Sequence, residues 1–343
     1  MFWTLKGVLS KRNKKERGAS YTDSNALAAR LYATLKASDL KLDHLPLVKD
    51  KETSHMLVTG TTGAGKTNLF HTLLPQIRKR GDAAIVVDLT GDFVKRYYRE
   101  GQDILLNPFD SRSASWSIWD ECKTEPQADT FAQACIPPSN FSNDKFWDTA
   151  GAVVLSTAIQ KIAKSEKPSV EQLYALLAYS DSIAYQKFFL KTDAATYTDI
   201  KGEKTTQSIR AGLNSHIKFL KHLKGKGTPF SMRPWVQEER KDQWVFLTAG
   251  TDERATLRPF LSALIDIAIN SLMTLTPSSQ RRLWFVMDEL PALHKLPSLE
   301  GGLAESRKYG GCFLAGIQSI AQLTNLYGHQ QAQTMLDLFN TLA

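Results

Sequence analysis

Cysteine is scarce. Cys122, Cys135 and Cys312 lie scattered along 343 residues with no CxxC pair. That excludes a disulfide framework and a zinc ribbon, and reads as reduced thiols in a cytosolic setting. The seven histidines show no metal-ligand spacing and no HExxH; His55, beside an apolar run, reads as structural. No apolar run reaches the ~18–20 residues of a bilayer span. Internal repeats and low-complexity tracts are absent, which excludes solenoids and arrays. What remains is a globular composition, 42% hydrophobic and 23% charged, long enough for one large core or two domains.

The net charge of +8 is unevenly placed. Residues 1–20 hold six Lys/Arg and one Glu; residues 146–229 hold twelve Lys/Arg and seven acids. Each stretch is therefore +5 and the remainder −2. The pattern fits a partner that carries phosphates, nucleic acid or anionic lipid, although a lysine-rich solvated surface gives the same count. Met1–Ser10 is an apolar stub with a basic flank through Arg17. Such a stub resembles the cytoplasmic end of a membrane segment, with a solvated tail as the plain alternative. A cleaved signal peptide has the reverse charge order.

Residues Gly60-Thr61-Thr62-Gly63-Ala64-Gly65-Lys66-Thr67 follow the apolar run Met56–Thr59. This is G-x-x-x-x-G-K-[ST] between a buried strand and a helical pattern, the context a phosphate-binding loop requires. Small residues let successive backbone amides converge on phosphate oxygens. Lys66 is expected to reach the β- and γ-phosphates of ATP and Thr67 to hold Mg²⁺, with the helix N-terminus adding partial positive charge.

Ala83–Val87, Trp244–Leu247, Leu283–Met287 and Cys312–Ile317 read as buried parallel strands, with Ile104–Leu106 as a shorter candidate. Helical patterns at 67–79, 257–275 and 299–308 alternate with them, which predicts an α/β fold with a mainly parallel sheet. Residues 146–229 keep helical periodicity and contain no convincing strand, so they read as an all-α insert. The expected organisation is a basic tail and lead-in helix (1–45), a first ATPase segment with the glycine loop (46–145), the insert (146–229) and a second ATPase segment (230–343). Pro75 predicts a kink or early end in the helix after the loop.

The run Leu283–Met287 delivers Asp288 and Glu289 at its C-terminal end, where ligands bind in open α/β sheets. Asp288 is the expected Mg²⁺ partner with Thr67. Glu289 is placed to polarise the attacking water. Gln318, ending the next strand, is a candidate γ-phosphate sensor, with a surface amide as the alternative. Arg307 or Lys308 is a candidate finger reaching a neighbouring subunit's nucleotide, with a solvated helix end equally open.

Several further blocks accompany these motifs: Leu45-Pro46 with Lys49-Asp50, Arg80-Gly81-Asp82, Gly91–Lys95 with Tyr97-Tyr98, Leu106–Asp110, Phe146-Trp147, Asp288–Pro297, Arg307–Cys312 and Gly316–Ser319. Together they resemble the TraD-type coupling proteins of conjugative type IV secretion, nearly end to end. The resemblance implies a RecA-like P-loop motor with an all-α insert, working as a homo-hexamer around DNA at the cytoplasmic face of the bacterial inner membrane. It implies ATP and Mg²⁺ as ligands, and single-stranded DNA, the relaxase and the secretion channel as partners. By position it carries over Lys66, Thr67, Asp288, Glu289 and Gln318, and less securely Arg307. Membrane helices ahead of residue 1, and further strands with a relaxosome-docking tail beyond residue 341, are expected outside this chain, as in a fragment or one piece of a split gene. The competing expectations are a nucleotide-binding docking module without turnover, and another ring motor that pumps duplex DNA or powers pilus assembly.

Overall fold

A computed structural model describes residues 22–61, 63–139, 142–223, 225 and 227–342. The basic tail, Thr62 and Lys224 and Lys226 of the insert's basic end lie outside the described residues. Chain contacts separate two units, with the division after Lys49.

In the first unit, α1 (Ser24–Ala33) leads to β1 (Ala37–Leu42) and β2 (Leu45–Val48), which pair antiparallel. The Asp23 carboxylate caps α1 by accepting from the Asn25 and Ala26 amides. This hairpin gives no clear signal in the sequence. Its turn is Asp43-His44, without the glycine that usually marks a tight hairpin, and Asp43 itself takes a φ of 56°.

The second unit opens with β3 (Met56–Thr59), α2 (Lys66–Lys79), β4 (Ala83–Asp88), α3 (Asp92–Tyr97), β5 (Ile104–Leu106), β6 (Ser115–Trp116), α4 (Ile118–Glu121) and α5 (Glu125–Cys135). Four helices follow, α6 (Ser142–Ala163), α7 (Val170–Tyr179), α8 (Ser182–Phe189) and α9 (Glu203–Ile217). Then come β7 (Pro229–Phe230), α10 (Met232–Gln237), β8 (Trp244–Thr248), α11 (Arg254–Met273), β9 (Leu283–Met287) and α12 (Leu299–Glu305). The unit ends with β10 (Gly311–Ile317), α13 (Ile320–Tyr327), α14 (His329–Leu338) and β11 (Thr341–Leu342).

Seven strands form one sheet in the order β11-β3-β10-β9-β4-β8-β5, every pair parallel. Strands β4, β8, β9 and β10 are buried at every position. Helices cover both faces of such a sheet, which is why these strands read as unbroken apolar runs. Between α5 and β7 the described residues form helices and short 3₁₀ turns only; Leu155, Ile159, Leu173, Leu177, Leu213 and Ile217 are buried there. All three cysteines are buried and free, and burial pushes the Cys122 thiol up to about 12.

Of the kink or early end expected at Pro75, the early end does not occur. Helix α2 continues to Lys79. The carbonyl that Pro75 leaves without its helical amide belongs to His71, and the Tyr97 hydroxyl lies 3.5 Å from it, so α3 shields the gap. Helix α11, 20 residues long, is apolar enough to cross a bilayer by composition, but it is largely buried in the protein core.

Candidate nucleotide site

The C-terminal ends of β3, β9 and β10 lie side by side, since β10 pairs with both others. The sequence groups that end these strands are therefore neighbours in space. The loop after β3 turns through Gly63 and Gly65, with φ of 82° and 90°, angles that a side chain strongly disfavours. Gly65 caps α2, so the first helical amides face the loop. Lys66 Nζ donates to the Gly60 carbonyl at 2.6 Å, which holds the ammonium over the loop.

Thr67 Oγ1 donates to Asp288 Oδ2 at 2.9 Å. Among the described residues, the other carboxylate oxygen, Oδ1, is buried with no hydrogen-bond partner. Burial raises the Asp288 pKa, opposed by the Thr67 hydrogen bond and the Lys66 charge. A buried carboxylate oxygen left open beside a hydroxyl is what a hard cation with oxygen ligands accepts, so Thr67 and Asp288 fit Mg²⁺. Gln318 Nε2 donates to Glu289 Oε2 at 2.9 Å. This close register requires Gly316, where an added Cβ would lie 2.0 Å from the Asp288 carbonyl oxygen.

The structure thus brings Lys66, Thr67, Asp288, Glu289 and Gln318 together, with Gly60, Thr61, Gly63, Ala64 and Gly65 forming the loop. Arg307 stands apart. It is exposed and precedes β10, whereas Gln318 follows that strand. Seven residues at ~3.3 Å each put the two roughly 20 Å apart.

Two residues of the site's surroundings were missed. His71, one helical turn beyond Thr67, has Nε2 2.7 Å from Asp92 Oδ2 and Nδ1 2.9 Å from the Tyr97 hydroxyl. The i+4 spacing from Thr67 was the available signal. Asp88, at the end of β4, accepts from the amides of Thr90, Gly91 and Val94 and from the Thr90 hydroxyl. It shapes the next turn and so differs from Asp288, whose second oxygen stays open.

A parallel sheet with a glycine loop at one strand end and a carboxylate pair at another defines a RecA-like P-loop ATPase fold. Residues 39–342 match the family model described as the type IV secretion-system coupling protein DNA-binding domain. The chain belongs to that family. It is 36% identical to the coupling protein TraD of Escherichia coli (strain K12), over 100% of this chain and 49% of that protein, so it spans about half of that relative. Among solved structures, it is similar to the bacterial conjugative coupling protein TrwBdeltaN70 in its unbound monoclinic form. The match has a TM-score of 0.85 and 29% identity, over 94% of this chain and 75% of the other. The plasmid coupling protein TrwB in complex with ADP and Mg²⁺ matches with a TM-score of 0.84 and 30% identity, over 94% and 77%.

Proposed function

We propose that this chain is the nucleotide-hydrolysing part of a DNA-translocating ATPase that couples relaxase-bound single-stranded DNA to a type IV secretion channel. The observation that carries the reading is the Thr67–Asp288 contact with its open carboxylate oxygen. The TrwB structure in complex with ADP and Mg²⁺ supports the same ligands here.

The amides of the 60–67 loop and Lys66 receive the phosphates. Thr67 and Asp288 hold Mg²⁺, which when bound screens the triphosphate's negative charge. Glu289 accepts the proton of the attacking water, and Gln318 keeps that carboxylate oriented. Arg307 is too far from its own nucleotide loop to act there, so it serves a neighbouring copy, in a homo-hexamer around DNA. The motor works at the cytoplasmic face of the bacterial inner membrane, with the relaxase on one side and channel components on the other.

Phosphate release from Mg·ATP, measured across protein concentration with single-stranded and duplex DNA at several salt concentrations, tests the reading. Turnover is expected to rise more steeply than protein concentration and to respond more strongly to single strands. Glu289→Gln is expected to lower turnover about 10²–10⁴-fold and leave nucleotide affinity intact. No nucleotide binding would defeat the reading. Binding without turnover under every condition would favour a docking module.

A further inference from the structure

The loop leaving β9 is held against one face of α11 by side chains four residues apart. Arg258 Nη2 donates to the Leu293 carbonyl at 2.6 Å and to the Pro291 carbonyl at 3.2 Å. One turn on, Ser262 Oγ accepts from the His294 amide at 2.9 Å. Another turn on, Asp266 Oδ1 accepts from the Ser298 amide at 2.8 Å and from the Ser298 hydroxyl. From α13, the Tyr327 hydroxyl accepts from the Leu296 amide at 3.2 Å. Ser262 and Asp266 are essentially inaccessible to solvent.

Stability alone does not call for such residues in a core helix. Desolvating a carboxylate and a guanidinium costs several kcal/mol, and apolar side chains of similar size often do as well or better. What the stripe supplies is register, because successive turns fix successive backbone groups of one loop. That loop begins at Asp288 and Glu289. At its middle, the His294 ring meets the His216 ring of α9 edge to face, centroids 5.5 Å apart. His216 Nδ1 in turn lies 3.1 Å from the Cys135 carbonyl at the end of α5.

We propose that Arg258, Ser262 and Asp266 are positioning residues for the Asp288–Glu289 pair, and that the loop they hold carries nucleotide occupancy through His294 to α9. The proposal rests on the nucleotide reading above. Any shift of the acidic pair is confined to a loop with little slack, so it arrives at the His294–His216 contact and not at solvent.

Hydrogen exchange of the whole chain, with and without Mg²⁺ and a non-hydrolysable ATP analogue, tests it. In the wild type, nucleotide is expected to slow exchange at the 60–67 loop and also at 289–298 and 203–217. In Ser262→Ala and in His294→Leu, protection of the 60–67 loop should persist and the effect on 203–217 should be lost. Ser262→Ala removes one hydroxyl and is expected to leave the chain folded, so it remains informative if the histidine variant does not fold. Protection of 203–217 that survives both substitutions, or that is missing in the wild type although the 60–67 loop responds, would overturn the proposal. A wild-type chain with no response at 60–67 would instead remove the nucleotide reading, and this inference with it.

Discussion

The two ends of the central sheet treat their charged side chains differently. Where the strands begin, charge meets opposite charge. Arg80 lies 3.0 Å from Glu52 and 3.4 Å from Asp82. Arg282 lies 3.1 Å from Asp50, and Arg281 lies 2.6 Å from Glu239. Where the strands end, the site's charges rest on neutral partners: Lys66 on a carbonyl, Asp288 on a hydroxyl, Glu289 on an amide. A paired charge is already compensated. A charge whose hydrogen bonds all go to neutral groups keeps more of its field available for a ligand of opposite sign, a phosphate for Lys66 and a cation for Asp288.

The largest effect tests the paired pattern beside the sheet. Asp103 is buried; its carboxylate takes two hydrogen bonds from Arg78, at 2.7 and 2.9 Å, and one each from the Trp244 and Arg99 amides. Asp103→Ala leaves a half-buried guanidinium and two amides without that acceptor. Loss of one member of such a pair is expected to cost about 3–5 kcal/mol of unfolding free energy in urea. Nucleotide affinity of the molecules that remain folded should not change. A parallel fall in affinity would show that the paired charges also serve the site.

A second test uses acid. His55 lies where the strands begin, and its ring is held by neutral groups: Nε2 is 3.0 Å from the Leu303 carbonyl, and Nδ1 is 3.2 Å from the Phe313 amide, from which it accepts. Burial, with the nearby Arg307 charge, lowers its pKa to about 4. The unfolded chain therefore binds this proton first, from pH 6.5 downward. The histidine's contribution is intact above 6.5 and is lost as pH falls through about 4, at up to about 1.4 kcal/mol per pH unit. His294, lowered to about 3 mainly by burial, adds in the same direction. Asp266, raised by burial to about 6, works oppositely, since its contribution is lost as pH rises through that value. Comparing urea midpoints of wild type and His55→Gln from pH 7 to 5 isolates the first term. The wild type should show the steeper loss, and equal slopes would refute the assignment.

Much of this molecule was legible because its determinants are local or periodic. The glycine loop announces itself by residue type, and the strands by apolar runs that only a covered parallel sheet produces. Adjacency of Asp288 to Thr67 was inferable because both follow buried strands. The remainder depended on tertiary partners. The Tyr97 hydroxyl that lies 3.5 Å from the carbonyl left open by Pro75 comes from another helix. Arg258, Ser262 and Asp266 fall within the helical pattern at 257–275, but nothing local named the loop they bind. The need for glycine at 316 appears only once β9 lies beside β10.

The smallest effect is the most discriminating, because its sign changes with ligand. In Asp288→Asn, a buried carboxylate with one open oxygen becomes a neutral amide, which is less costly to desolvate. Without nucleotide, the variant is expected to be more stable than the wild type by about 1 kcal/mol, as happens when a functional residue is carried at the expense of stability. Adding Mg·nucleotide should reverse the order. At a hundredfold excess over its dissociation constant, a ligand stabilises the form that binds it by about 2.7 kcal/mol, and the asparagine variant forgoes most of this if Asp288 holds the cation. Urea midpoints of both proteins, with and without Mg·ADP, measure the four values. If the order does not reverse, the open oxygen is a packing accident, and the contrast between the two ends of the sheet has no functional content.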